Sequence, residues 1–146
     1  ILSEPGCLKQ LLEIHEKTQS SVLGVFSASE NQVSNYGVIS SKNIDGIEKV
    51  DGIVEKPEPS DAPSNLAVFG RYILSKDIFT NIEQTKPGLN NEIQLTDAIQ
   101  DLISNQDVFA LEFEGRRFDC GSKEGYISAI IDRALSIDKY KSIIER

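Results

Sequence analysis

The 146 residues carry 15 Lys plus Arg against 23 Asp plus Glu, a net charge of −8 with a pI near 4.7. The basic residues gather no further than Arg116-Arg117 and Lys139 to Lys141. That is too little for a phosphate-backbone track or an anionic membrane surface, so neither nucleic acid nor membrane is expected as a partner. A chain of this length buries roughly 68–70% of its unfolded surface, enough for one domain over residues 1–146 without disulfides or structural metal.

The sequence opens without Met, and holds no Met or Trp anywhere, which suggests an internal piece of a longer protein. After Pro5-Gly6, Leu8, Leu11, Leu12 and His15 recur at i, i+3, i+4 and i+7, the spacing of one helix face. Val22 to Phe26 is a nearly continuous apolar run, as in a strand covered on both faces. Tyr36 to Ser40 and Gly46 to Val54 read as a hairpin turning through Lys42 to Gly46, with Ile47, Lys49, Asp51 and Ile53 alternating on one side. Pro57, Pro59 and Pro63 keep Glu55 to Ser64 out of any sheet, so this stretch is an ordered surface excursion. Leu66 to Leu74 resumes as a strand, and Ser75 is placed to cap a short helix through Ile78, Phe79 and Ile82. Leu95, Ala98, Ile99 and Leu102 repeat the helical spacing, Val108 to Phe113 is a strand, and Ile127, Ile130, Ile131 and Ala134 mark a last helix. Helices alternating with apolar strands imply an α/β domain.

No GxGxxG and no GxxxxGK[ST] occurs, so any phosphate-cradling loop of a nucleotide-using protein lies outside the chain. Segment ends are where α/β sheets place ligands, and three of them carry suitable chemistry. Gly37 lets a ligand approach the backbone; its alternative is a turn glycine. Glu55 offers two acceptor oxygens for adjacent hydroxyls, and Lys56 a point charge for phosphate; their alternative is a solvated surface pair. Asp119 suits a hard cation such as Mg²⁺ or, equally, the cap of a helix starting near Ser122. His15 lies in a helix stripe and reads as structural. Cys120 has no histidine near it in sequence, and Glu112 with Glu114 reads as the wet face of a strand. Cys7 and Cys120 are expected as free thiols.

Taken together, Asn35 to Ile39, Asp51 to Pro57, Ala62 to Tyr72, Thr85 to Gly88, Asn91 to Ala98 and Phe113 to Tyr126 resemble the bacterial UDP-glucose pyrophosphorylases in order and spacing over nearly the whole chain. The Tyr-Gly-Val and Val-Glu-Lys-Pro pieces are shared by many sugar-phosphate nucleotidyltransferases, whereas Ala62 to Tyr72 and Asn91 to Ala98 look specific to the UDP-glucose branch. The resemblance implies the C-terminal, sugar-binding part of a Rossmann-like nucleotidyltransferase fold, a mixed sheet flanked by helices. It implies a cytoplasmic, homo-oligomeric uridylyltransferase making UDP-glucose and pyrophosphate from UTP and glucose 1-phosphate with Mg²⁺. By motif, Gly37 would contact the sugar, Glu55 its hydroxyls, Lys56 the phosphate of the sugar nucleotide, and Asp119 the metal; no catalytic residue is assigned. The N-terminal nucleotide-binding half of the family is not in the chain, so the chain by itself is expected to be inactive. The strand Val22 to Phe26 is then expected to be an open edge, through which copies associate unless a partner copy or the N-terminal half covers it. The alternatives are a non-catalytic sugar-phosphate binding module and an enzyme for another sugar nucleotide such as dTDP-glucose.

Overall fold

The computed structural model describes residues 1–88 and 91–144. It divides into two compact units, Pro5–Phe113 and the pairing of Ile1–Glu4 with Glu114–Arg146.

In the larger unit the apolar run becomes β1 (Ser21–Ser27), whose first five residues are all buried. β2 (Gly37–Ile44) and β3 (Ile47–Glu55) form the hairpin, β4 (Leu66–Ile73) follows the proline excursion, and β5 (Val108–Glu112) completes a mixed sheet. β1 pairs antiparallel with β4 and parallel with β5, and the ladders β4–β2, β2–β3 and β3–β5 close the ring. The expected mixed sheet with helices packed on it is what forms. The open edge expected at β1 does not form: the sheet closes, and β1 is paired with β4 on one side and β5 on the other.

Helix α1 (Cys7–Thr18) forms as the periodicity predicts, but on a rotated face. Cys7 and Leu11 are buried with Val22 and Phe113, while Leu8 and Leu12 are 59% and 40% exposed. His15 serves structure: its Nδ1 lies 2.7 Å from the Ser20 carbonyl and ties the end of α1 to the start of β1. Helices α2 (Asp77–Gln84) and α3 (Leu95–Asn105) cover the main core, where Ile78, Ala98, Ile99 and Leu102 meet Leu23, Ile39, Val50 and Ile53. Each Val, Leu or Ile side chain so taken from water is worth about 1.5–3 kcal/mol. Ser75 does not cap α2: the N-cap is Lys76, and the Ser75 hydroxyl is buried without a partner.

The proline excursion is ordered, with one 3₁₀ turn at Pro59–Asp61 and a tie at each end. Ser34 Oγ donates to the Pro57 carbonyl at 3.0 Å, and Ser64 Oγ donates to the Ile39 carbonyl at 2.6 Å. In the smaller unit, Leu2 and Arg116 exchange two backbone hydrogen bonds, and α4 (Lys123–Leu135) is followed by α5 (Asp138–Ile144). Ser122 caps α4 by accepting from Gly125 N–H at 3.0 Å.

Cys7 and Cys120 are both free thiols. Burial pushes the Cys7 thiol up, against a smaller opposing pull from Arg71, whereas Cys120 is exposed. A disulfide reagent at pH 7.5 is therefore expected to titrate Cys120 at once and Cys7 only after denaturant is added. Equal rates for both thiols in the folded chain contradict this packing of α1.

Candidate functional site

The free end of the hairpin turns through Asp45 and Gly46, with φ of 52° and 84°. At its other end Gly37, the first residue of β2, is registered opposite Glu55, the last residue of β3. Between the two ends β3 carries one extra residue: Ser40 faces Gly52 and Ser41 faces Val50, which leaves Asp51 bulged. That extra residue turns both Val50 and Ile53 into the core and breaks the alternation expected from Ile47 to Ile53. The expected turn over Lys42 to Gly46 is also shorter than predicted, because β2 runs on through Ile44.

Lys56 follows β3 with φ of 45°, a left-handed conformation that costs a non-glycine residue about 1–3 kcal/mol. It is held there from both sides. Its N–H donates to the Tyr36 carbonyl at 3.0 Å, and the next carbonyl, that of buried Pro57, accepts from Ser34. The strained corner sets Lys56 Nζ 3.5 Å from Glu55 Oε1, an acceptor and a cation side by side at the rim of the sheet. The Glu55 side chain is 26% exposed and that of Lys56 55%, so both reach solvent.

Gly37 is not a turn glycine. It is buried inside the ladder, and a β-carbon placed on it would lie 2.8 Å from Thr96 Cγ2, 3.1 Å from Val68 Cγ2 and 3.3 Å from Glu55 Oε2. Glycine is required here because three side chains converge on that spot. Thr96, beside Gly37, and Tyr72, within electrostatic reach of Glu55, carry polar groups that no motif singles out. Thr96, in the first turn of α3, is 7% exposed, and among the described residues its hydroxyl has no hydrogen-bond partner. Tyr72 lies on β4 just beyond an irregularity where Gly70 takes φ of 75° and the register with β1 shifts between Leu23 and Val25. Burial pushes the Tyr72 phenol up, the Gly70 backbone opposes this, and the negative charge of Glu55 adds to it. The phenol is therefore kept protonated within electrostatic reach of the carboxylate. A second residue of α3 supports the rim: Gln100 Oε1 accepts from the Ile53 N–H at 2.8 Å, two residues before Glu55.

Asp119 belongs to the smaller unit. It does not cap α4, since Ser122 does. Instead Asp119 Oδ1 accepts from Gly121 N–H at 3.1 Å, Oδ2 lies 3.7 Å from Arg117 Nη1, and the Asp119 carbonyl accepts from Ser122 Oγ at 3.2 Å. Gly125 packs so closely on that carbonyl that a β-carbon there would overlap it. The carboxylate is thus fixed by its own loop and remains about half exposed. Among the described residues no group of three or more His, Cys, Asp or Glu is gathered for a metal ion. Mg²⁺ keeps several waters and is held by one or two carboxylates plus substrate phosphates, so Asp119 fits as one such ligand, not as a complete cage.

Residues 2–134 match the protein family described as nucleotidyl transferase. UTP–glucose-1-phosphate uridylyltransferase 2 of Streptococcus pyogenes serotype M3 is 45% identical over 135 residues, covering 91% of this chain and 45% of that protein. A further S. pyogenes UTP–glucose-1-phosphate uridylyltransferase is 47% identical, with 91% and 44% covered. Among solved structures, a UDP-glucose pyrophosphorylase complexed with UDP-glucose is similar with a TM-score of 0.86 at 44% identity, over 91% of this chain and 51% of that one. A UTP-bound counterpart from Acinetobacter baumannii gives 0.78 at 34% identity, over 93% and 47%. The chain thus spans about half the length of the relatives it matches.

Proposed function

The chain belongs to the nucleotidyl transferase family, and from that premise we propose that it is the sugar-nucleotide-binding part of a UTP–glucose-1-phosphate uridylyltransferase. The observation that carries the reading is the strained corner at Lys56, which holds an ammonium 3.5 Å from the Glu55 carboxylate beside a ladder glycine. A carboxylate with two acceptor oxygens suits the vicinal hydroxyls of glucose, and the ammonium suits the phosphate joined to that sugar. In the reaction a phosphate oxygen of glucose 1-phosphate attacks the α-phosphorus of UTP in line. The bond from that phosphorus to the bridging oxygen breaks, and pyrophosphate leaves. Positioning and charge neutralisation do most of the work in such transfers. Glu55 fixes the sugar, and Lys56 offsets the charge of its phosphate. Mg²⁺, with Asp119 as one ligand, would supply further neutralisation of the phosphates.

A cytoplasmic setting and self-association belong to the same reading. Among the described residues no helix is long and apolar enough to cross a membrane. The face of α4 that carries Ile127, Ile130 and Ile131 is exposed by 56%, 50% and 43%, and supports association better than β1, which has a partner strand on each side.

Pyrophosphate release by the complete encoded polypeptide tests the activity. It is expected to require both UTP and glucose 1-phosphate, to fall when dTTP replaces UTP, and to be lost in Asp119→Ala. The isolated 146 residues, with no glycine-rich triphosphate loop, are expected to release none. Turnover by the isolated residues contradicts their role as a binding part, and a preference for dTTP reassigns the base.

A further inference from the structure

Ser122 makes more bonds than the cap of a helix needs. An N-cap serine has only to accept from a backbone N–H in the first turn, and Ser122 does so from Gly125 at 3.0 Å. Its Oγ also turns back and donates to the Asp119 carbonyl at 3.2 Å, and its own N–H donates to the same carbonyl at 3.3 Å. Gly125 closes on that carbonyl from the helix. A β-carbon there would overlap it and stand 2.9 Å from Ser122 Oγ, so the position excludes alanine, the better helix former, and keeps the close contact with Asp119. The side chain of Asp119 is set by neighbours of the same loop: Gly121 N–H donates to Oδ1 at 3.1 Å, and Arg117 Nη1 stands 3.7 Å from Oδ2. Because that side chain is about half exposed, burial does little to fix it, and the bolting of its backbone to the start of α4 does more.

We infer that Ser122, backed by Gly125, is a positioning residue for the metal, holding the Asp119 backbone so that the carboxylate is presented to the cation in one place. Mg²⁺ demands near-octahedral geometry and takes few protein ligands, so each ligand it does take has to be held still, and the groups that hold a ligating carboxylate belong to the site as much as the carboxylate does. The inference rests on the reading of Asp119 as one Mg²⁺ ligand. It separates Ser122 from an ordinary helix cap, whose loss lowers stability and leaves metal affinity alone.

The test compares Ser122→Ala, Ser122→Thr and Asp119→Asn in the complete polypeptide. Mn²⁺, which shares the octahedral oxygen preference of Mg²⁺, is titrated by electron paramagnetic resonance at saturating UDP-glucose, with metal-free UDP-glucose affinity and urea unfolding measured beside it. Ser122→Ala is expected to bind Mn²⁺ roughly tenfold more weakly, with metal-free UDP-glucose affinity within about twofold of wild type. Ser122→Thr, which keeps the hydroxyl, is expected to restore Mn²⁺ affinity to within about threefold. If Ser122→Ala binds Mn²⁺ as wild type does while Asp119→Asn is weakened, the inference falls and the metal reading stands, whatever the unfolding midpoint of Ser122→Ala. If Asp119→Asn also binds Mn²⁺ normally, the metal reading falls and takes the inference with it. Equal weakening in Ser122→Thr and Ser122→Ala, or an equal loss of metal-free UDP-glucose affinity in Ser122→Ala, overturns the inference as well.

Discussion

Replacing Lys56 by alanine is expected to lower the affinity of the complete polypeptide for UDP-glucose roughly 10- to 150-fold, and replacing Glu55 to do the same. This is the range set by losing one hydrogen bond to a charged group, about 1.5–3 kcal/mol. Neither change should unfold the protein. The two side chains meet only at 3.5 Å, at the edge of solvent, and an exposed pair of this kind contributes about 0–1 kcal/mol to stability. Lys56→Gly sharpens the experiment. Glycine adopts the left-handed corner at φ 45° without the side-chain penalty, so this variant should be more stable than Lys56→Ala and bind no better. Calorimetric affinities equal to wild type in all three variants return Glu55 and Lys56 to a solvated surface pair.

What the sequence shows and what it hides divide along a physical line. Val22 to Phe26 is legible because a strand covered on both faces must be apolar at every position, and β1 is buried throughout that part except for half-buried Phe26. The strand end at Glu55 is legible because Pro57 lacks the N–H a ladder needs. Misreadings arise where periodicity admits two answers. Leu8, Leu11, Leu12 and His15 trace one stripe of α1, but Cys7, Leu11 and half-buried Ile14 trace another, and only the tertiary packing of Leu11 against Val22 and Phe113 selects it. The bulge at Asp51 has no residue signature, so the inward turn of both Val50 and Ile53 is invisible before the register is known. Thr96 and Tyr72 are hidden for a third reason. They come from α3 and β4, and nothing local to either segment says that the fold brings Thr96 to Gly37 and Tyr72 within electrostatic reach of Glu55.

That convergence makes Gly37→Ala the more disruptive of two small changes to the site. In most strands alanine for glycine is favourable, because it restricts the unfolded chain. Here the new methyl would meet Thr96 Cγ2 at 2.8 Å and Val68 Cγ2 at 3.1 Å, and both belong to β-branched residues that are stiff about χ1 and buried. Neither can swing aside into solvent, so the strain must move α3 or β2, at about 1–3 kcal/mol. Glu55 Oε2, at 3.3 Å, is the softest neighbour and shifts first, so UDP-glucose affinity falls with stability. A second substitution separates crowding from any intrinsic effect of the backbone. Thr96→Ser removes the methyl that stands nearest while keeping the hydroxyl, so Gly37→Ala placed on a Thr96→Ser background should cost clearly less than on the wild type. The double-mutant cycle is expected to return a favourable coupling of about 0.5–3 kcal/mol, the range for residues in direct contact. Additive losses would mean that Thr96 does not touch the face of Gly37, and with that the floor of the proposed sugar subsite would have to be rebuilt around Val68.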